Sequence, residues 1–226
     1  MKRWAKVEAL FLCDPALRLG YEECMDTWID PQANPFETFR NWYELAQKHN
    51  TFEPTQVTLA TVSEQGWPSA RVVLLKSYDD QGFCFFTNYQ SRKGLELDQQ
   101  KKAALVFHWA LPLHRQIRVQ GWVERTTLQE SQEYYRTRAR GSQIGAWASP
   151  QSQPIQGPGE LTVQVEEVEE RFSEQDDLPC PPFWGGYRVQ PLKIEFWEAG
   201  EFRLHKRIEF QRAHLSQSWQ SRYLAP

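Results

Sequence analysis

The sequence predicts a single α+β domain built around an antiparallel β-barrel with flanking helices. Between residues 55 and 125, β-rich segments follow one another with short turns, which is typical of an antiparallel meander that closes as a barrel. Segment 115–125 alternates apolar and polar residues, as a half-exposed strand does. Segments 36–46 and 161–172 carry apolar residues at helical spacing, which predicts two helices packed on the barrel.

The N-terminal segment differs from the rest of the chain. Residues 1–33 contain two prolines and no regular apolar pattern, so we interpret them as an arm ahead of a domain spanning residues 34–226. Asn34 and Pro35 predict the start of the first helix, and Glu37 stands three positions after the capping residue.

The segment 71–93 organises the predicted site. It reads as a strand, a turn at residues 79–82, a second strand and the start of a helix. Ser91 can cap this helix, and the cations Arg92 and Lys93 follow directly. A helix N-terminus beside two cations favours a phosphate site. The alternative is a β-hairpin with solvated ends.

The second half of the chain continues the α+β pattern. Residues 127–138 are predicted to be helical, and residues 141–159 are predicted to form a long loop because they are rich in Gly, Ser, Gln and Pro. Strands are predicted at residues 187–197 and 202–211, with residues 198–201 as the hairpin turn.

Two further groups of polar residues could bind a ligand. Tyr134 and Arg138 are four apart on the predicted helix, and Ser142 follows its end, so the three could hold a second phosphate. The alternative is a solvated helix end. Arg203 and His205 are two apart on a predicted strand and would share a face. Such pairs also occur on exposed strands.

Composition excludes several other classes of protein. The net charge of −3 argues against a general nucleic-acid binder. The four cysteines and five histidines show no metal-ligand spacing, so we predict no metal site. Cys84 lies in an apolar predicted strand, where a reduced buried thiol is the usual state, so we predict a reducing compartment. We also predict no signal peptide and no membrane span, and hence a cytoplasmic protein.

The site motifs resemble those of a known family. Arg71-Val-Val-Leu-Leu-Lys76 and Phe86-Thr-Asn-Tyr-Gln-Ser-Arg-Lys93 resemble the FMN-binding segment of the pyridoxine (pyridoxamine) 5′-phosphate oxidases. Arg203-Leu-His-Lys-Arg207 is similar to the Arg-Leu-His-Asp-Arg motif of that family. The resemblance extends over residues 34–226 and implies a homodimeric split-barrel flavoprotein with FMN at the dimer interface.

The resemblance implies roles for individual residues. The enzyme would oxidise pyridoxine or pyridoxamine 5′-phosphate to pyridoxal 5′-phosphate, and dioxygen would become hydrogen peroxide. The implied FMN-binding residues are Arg71, Val72, Val73, Leu74, Leu75, Lys76, Phe86, Thr87, Arg92, Lys93, Gln116, Gln151, Ser152, Trp197 and Arg207. The implied substrate-binding residues are Lys76, Tyr134, Arg138, Ser142, Arg203, Leu204 and His205, with Arg18 and Tyr21 as a lid from the arm. Arg203 and His205 are the implied catalytic pair.

The chain departs from the family pattern at three places. Lys206 replaces the motif Asp, Ala139 replaces the usual Pro, and only Arg18 and Tyr21 match the Arg-Arg-Glu-Tyr of the family lid. Two alternatives stay open: a related FMN oxidase acting on another ring, as in phenazine pathways, and a non-catalytic protein that binds FMN or pyridoxal phosphate. The preference for alcohol or amine is also left open.

Overall fold

The computed structural model describes residues 28–49 and 53–226. Most of the predicted arm, including Arg18 and Tyr21, lies outside these ranges, so the lid stays a prediction. None of the described helices combines the length and the apolar character that crossing a membrane requires.

The described elements are five α-helices, nine strands and one short 3₁₀ turn. The helices are α1 (Pro35–Lys48), α2 (Arg92–Gln100), α3 (Leu128–Arg136), α4 (Arg140–Ala148) and α5 (Pro158–Arg171). The strands are β1 (Gln56–Val62), β2 (Pro68–Leu74), β3 (Ser77–Asp79), β4 (Gly82–Asn88), β5 (Lys102–Trp109), β6 (Arg115–Arg125), β7 (Trp184–Glu198), β8 (Lys206–Gln211) and β9 (Gln220–Tyr223). The 3₁₀ turn is Glu201–Arg203.

Capping side chains fix the starts of three helices. Asn34 accepts a hydrogen bond from the Phe36 N–H at 2.8 Å, as the sequence predicts. Ser91 accepts from the N–H of Gly94 at the start of α2. Thr127 forms a reciprocal capping box with Glu130 at the start of α3. The last two caps fix the starts of α2 and α3. The candidate site residues lie on or beside these two helices.

The strands form one curled, half-barrel sheet in which every pair is antiparallel. The order is β2-β1-β5-β6-β7-β4-β3, with β8 beside β7 and β9 beside β8. The predicted fold class, an α+β split barrel, is therefore confirmed. The predicted simple meander is wrong, because α2 separates β4 from β5 and β4 pairs with β7. The hairpin β3–β4 consequently lies at the opposite end of the sheet from β1–β2.

Three local predictions also need correction. The turn at residues 79–82 lies where it was predicted, but the strand that it joins to β4 is the short β3, which is separate from β2. The predicted loop 141–159 contains α4, whose Gln143 amide donates to the Tyr135 carbonyl at 3.1 Å. The last predicted strand begins at Lys206, because residues before it form the 3₁₀ turn. Each error comes from a tertiary contact or backbone conformation that composition does not encode.

Two clusters of buried side chains hold the fold together. The larger lies between α1 and the sheet and includes Phe39, Phe83 and Phe107, all fully buried. The smaller lies beneath α3, α4 and α5 and contains Tyr135 and Trp184. Since Trp184 is the first residue of β7, the smaller cluster fixes α3 against that end of the strand.

Candidate active site

The start of α2 gathers several of the predicted flavin residues. Lys93 Nζ donates to Gln151 Oε1 at 2.8 Å and to Thr87 Oγ1 at 3.2 Å. Thr87 also donates to Gln151 at 2.9 Å, so strand β4, helix α2 and the loop after α4 meet here. We call Arg71, Thr87, Arg92, Lys93, Glu96 and Gln151 the Lys93 cluster.

A buried carboxylate that the sequence reasoning missed organises the cations of this cluster. Glu96 accepts from Arg92 Nε at 3.0 Å and lies 3.4 Å from Arg71 Nη2. Burial opposes its ionisation, but hydrogen bonds from Thr61 and Ser69, together with the two arginines, hold the pKa of Glu96 below its usual range. The i,i+4 spacing of Arg92 and Glu96 was the available sequence signal.

Lys93 is the most perturbed cation of the cluster. Burial and then the neighbouring Arg71 lower its pKa to about 8. Two like charges held close together at a helix N-terminus suit a ligand with two negative charges.

The remaining predicted flavin residues near the cluster lie at different depths. Ser152 is exposed, has a left-handed backbone and lines, with Arg92, a groove of about 490 Å³. Val72 and Leu74 are 58% and 39% exposed. Val73 is half-buried, and Leu75 belongs to the core.

A second group lies beside the start of β7. The Tyr134 ring stacks on Phe86 with 4.1 Å between centroids, and both stack on Trp184. The Arg138 guanidinium lies 4.7 Å from the centroid of Trp184. We call Phe86, Tyr134, Arg138 and Trp184 the Arg138 pocket. Phe86 therefore belongs here rather than to the Lys93 cluster.

Arg138 carries an unusual unsatisfied donor. Its Nη1 atom is buried and has no hydrogen-bond partner among the described residues. Burial lowers the pKa of its guanidinium, although an arginine remains a cation near neutral pH. A buried cationic donor without an acceptor is costly, and an anionic ligand would supply the missing acceptor.

Two further predicted phosphate ligands, Ser142 and Lys76, are exposed. Ser142 is exposed in the first turn of α4, four residues beyond Arg138. Lys76 is exposed and lines another surface pocket with Arg40 and Tyr43. No described hydrogen bond joins Lys76 to Tyr134 or Arg138, so its role stays a prediction.

A third group is assembled by strand register. Gln116 on β6 pairs with Trp197 on β7, which pairs with Arg207 on β8. Glu195, buried and not predicted, accepts from Arg207 Nε at 3.0 Å. Three residues that are far apart in sequence thus form one row across the sheet.

The segment Gly200–His205, which we call the tip, connects β7 to β8. Its Arg203 and Leu204 are exposed, and Arg203 lies in the 3₁₀ turn with φ of 65°. Arg203 and His205 therefore do not share a strand face as predicted. The His205 ring packs on Trp197 with 4.7 Å between centroids, and its Nδ1 accepts from the Gly200 N–H at 3.2 Å.

Strand β7 separates these groups widely. Thr87 of the Lys93 cluster pairs with Gly185, whereas Gln116 pairs with Trp197. At about 3.3 Å per residue, the strand between the two positions is at most roughly 40 Å long. The two groups of one chain therefore lie at opposite ends of β7.

Comparisons with known proteins identify the family. The pyridoxamine 5′-phosphate oxidase family model matches residues 45–172, and the pyridoxine 5′-phosphate oxidase C-terminal dimerisation region matches residues 184–226. A pyridoxine/pyridoxamine 5′-phosphate oxidase of Salinibacter ruber is 46% identical over 193 residues, which cover 85% of this chain and 89% of that protein. This chain belongs to the pyridoxine/pyridoxamine 5′-phosphate oxidase family. The oxidase of Ralstonia pickettii agrees, at 46% identity over 93% of this chain and 97% of that protein.

Solved structures show the same fold. Burkholderia lata PhzG, in complex with tetrahydrophenazine-1-carboxylic acid, superposes with a TM-score of 0.81 at 29% identity, covering 90% of this chain and all of that one (100%). A Nostoc punctiforme FMN-binding protein related to the pyridoxamine 5′-phosphate oxidases has a TM-score of 0.66 at 15% identity, covering 87% of this chain and 100% of that one. The second likeness supports the split-barrel fold only.

Proposed function

We propose that this chain is an FMN-dependent oxidase that converts pyridoxine or pyridoxamine 5′-phosphate to pyridoxal 5′-phosphate while dioxygen is reduced to hydrogen peroxide. The buried, unpartnered Nη1 of Arg138 carries the proposal, because it fits a phosphate beside an aromatic wall suited to a planar ring. The names of the relatives supply the substrate class.

The Lys93 cluster fits the phosphate of FMN. Lys93 and Arg92 are cations at the start of a helix whose amides face outward, and Arg71 lies close to Lys93. Gln116, Trp197 and Arg207 are the residues that would hold the ring system of FMN. Bound FMN would supply the hydride acceptor of the reaction.

The protein residues would bind and orient the substrate. Arg138 and Tyr134 would hold its phosphate, so that binding energy fixes the position of the distant reacting carbon. His205 would act as a hydrogen-bond donor, because its Nδ1 accepts from Gly200 and a neutral ring then carries its proton on Nε2. Arg203 would supply a positive charge beside the ring.

A homodimer would complete each site. The two groups of flavin residues lie at opposite ends of β7, and the dimerisation region spans residues 184–226, which include the tip. A second copy would therefore bring its Gln116 row and tip to the Lys93 cluster and Arg138 pocket of the first.

Mixed dimers test this arrangement. Arg138→Ala and Arg203→Ala homodimers would each have two damaged sites. If the sites are shared, an isolated dimer of the two variants places both lesions in one site and recovers about half of the wild-type activity. Activity no greater than that of the homodimers would show that each chain builds its own site.

The likeness to PhzG favours a second candidate, an FMN oxidase acting on a reduced phenazine acid. The aromatic wall would accept that ring system too, but a carboxylate carries less charge than a phosphate. Arg138 is therefore the residue that discriminates between the two substrates.

One turnover experiment tests the function directly. The purified protein, supplied with FMN, is given pyridoxamine 5′-phosphate, pyridoxine 5′-phosphate or a reduced phenazine acid, and hydrogen peroxide is measured. Bound flavin is released by heat and identified by chromatography. Hydrogen peroxide formed with pyridoxamine 5′-phosphate or pyridoxine 5′-phosphate supports the proposal. Hydrogen peroxide formed with the phenazine acid alone, or with none of the three compounds, overturns it.

A further inference from the structure

The tip presents an apolar side chain that none of the roles above uses. Phe202 is 90% exposed, and Leu204, two residues further along the chain, is 70% exposed. Both flank Arg203, one of the residues proposed to contact substrate. Large apolar side chains held in water beside a functional cation indicate a surface that another molecule covers.

The backbone of the tip is built to hold this exposed position. Phe202 and Arg203 have φ values of 54° and 65°, a left-handed conformation that is costly for residues with a Cβ. The base is nevertheless fixed, because Leu204 N–H donates to Glu201 O at 2.9 Å and His205 is held by Gly200 and Trp197. The strain is thus concentrated where Phe202 projects.

Phe202 and the Arg138 pocket of the same chain lie at opposite ends of β7. Trp184, in a wall of that pocket, begins β7, whereas Trp197, on which His205 of the tip packs, lies 13 residues further along the strand. At about 3.3 Å per residue, the strand between them is at most roughly 43 Å long. The C-terminal dimerisation region contains both the tip and Trp184, so a second copy can bring them together.

We propose that Phe202 of one copy packs against the half-buried Phe86 and Tyr134 rings of the other copy and covers the substrate ring in the Arg138 pocket. The inference rests on the proposed function and adds a residue to it. Stacked aromatic rings are a suitable surface for a phenylalanine. Arg203 would supply charge from the tip, and Phe202 would exclude water beside it.

Substitution of Phe202 tests its contribution to substrate binding. In the FMN-loaded dimer, Phe202→Ala should raise KM for pyridoxamine 5′-phosphate roughly 10-fold or more, because a large apolar contact is lost. It should lower kcat less, since Arg203 and His205 remain. Phe202→Leu should recover most of the loss, and Glu201→Ala, at the exposed neighbouring position, serves as the control. A KM unchanged in Phe202→Ala would overturn the proposal.

Cross-linking tests the position of Phe202 independently of activity. Phe202→Cys is combined with Ala139→Cys, an exposed position beside Arg138, and the protein is oxidised as the holo dimer. The expected product is a covalent dimer whose peptides link position 202 of one copy to position 139 of the other. Each single variant controls for the native cysteines. A link between two tips, a link within one chain, or no link would overturn the proposal.

The failure of this inference can be told apart from failure of the proposed function. If mixed Arg138→Ala and Arg203→Ala dimers recover activity while Phe202→Ala behaves as wild type, the shared site stands and the role of Phe202 falls. If neither pyridoxine 5′-phosphate nor pyridoxamine 5′-phosphate is oxidised, the proposed function is wrong. The cross-linking result alone then decides where the tip lies.

Discussion

The Lys93 cluster and the Arg138 pocket are both candidate phosphate sites, yet they are built differently. In the cluster, Lys93 donates to Gln151, and Glu96 accepts from Arg92. In the pocket, Arg138 faces aromatic rings and keeps a buried Nη1 without a partner among the described residues. The cations of the cluster are therefore held by the protein itself, whereas Arg138 depends on a ligand to supply an acceptor.

This difference predicts where substitutions act. Changes in the Lys93 cluster should affect stability and cofactor affinity together, because its members hold one another. Changes at the polar groups of the Arg138 pocket, the Arg138 guanidinium and the Tyr134 hydroxyl, should affect substrate use and leave stability nearly unchanged. The following five predictions concern these two regions.

Arg138→Ala should have the largest effect on catalysis. A hydrogen bond to a charged group is worth about 1.5–3 kcal/mol, so kcat/KM for pyridoxamine 5′-phosphate should fall roughly 10- to 150-fold. FMN affinity and the flavin spectrum should stay as in wild type. Unphosphorylated pyridoxamine should be a poor substrate that the substitution barely affects.

Arg136→Ala is the matched control, since Arg136 is exposed in the last turn of α3, whereas Arg138 lies two residues past the end of that helix and not on it as predicted. It should leave both substrates unaffected. An equal loss for phosphorylated and unphosphorylated substrate in Arg138→Ala would mean that this arginine does not recognise the phosphate.

Glu96→Gln should affect the other region. The substitution weakens the anchors of Arg71 and Arg92, and it should lower the free energy of unfolding by about 1–3 kcal/mol. FMN affinity should fall by roughly 10-fold, since the two arginines lose their fixed geometry. Glu64→Gln, in the same groove, is the control. Denaturation and flavin titration measure the two effects, and loss of only one would show that the cluster does not act as a unit.

The position of the Lys93 cluster could be predicted from the sequence more fully than that of the Arg138 pocket, for a physical reason. Ser91, Arg92 and Lys93 are contiguous, so local capping rules located the cluster. The pocket depends on Trp184 at the start of β7, which reaches α3 only because β4 pairs with β7 across about a hundred residues. Propensity and periodicity contain no information on such a pairing.

The tip illustrates the same limit at the level of the backbone. A left-handed conformation is expected at glycine or asparagine, and neither occupies positions 202 or 203. The sequence pattern therefore favoured a continued strand. The prediction that Arg203 and His205 lie on the same face of that strand was wrong. The roles that the family resemblance implies for both residues stay predictions, because a motif suggests chemistry without fixing conformation.

The pH dependence of FMN binding should reflect Lys93. Its pKa of about 8 in the apo protein means that the ammonium is lost above that pH. A phosphate ligand favours the charged form, so FMN affinity should fall by up to about tenfold per pH unit above 8 until the pKa of the complex is reached. The FMN phosphate itself is fully ionised there, since its second pKa is about 6.

The contribution of Lys93 to the stability of the protein without FMN should change in the opposite direction over the same range. The unfolded chain keeps the Lys93 proton up to its ordinary pKa of 10.5, so at this side chain it binds more protons than the folded chain, and the contribution of Lys93 rises with pH. Burial raises the pKa of the Cys180 thiol to about 11, which acts in the opposite direction, so the quantity to measure is the difference in stability between wild type and Lys93→Met. Lys93→Met should also remove the pH dependence of FMN affinity. A flat FMN affinity between pH 7 and about 9.5 in the unmodified protein would place Lys93 outside the phosphate site.

Tyr134→Phe should have the smallest effect, and it separates the two functions of the Arg138 pocket. The ring stacks on Phe86 and Trp184, and phenylalanine preserves that packing, so stability should not change. Only one neutral donor to the substrate phosphate is lost, which is worth about 0.5–1.5 kcal/mol and lowers kcat/KM roughly 2- to 10-fold. Tyr134→Ala, by contrast, removes the wall and should also affect unphosphorylated pyridoxamine. If phenylalanine and alanine behave alike, the hydroxyl carries the whole effect, and the aromatic wall does not contribute to holding the ring.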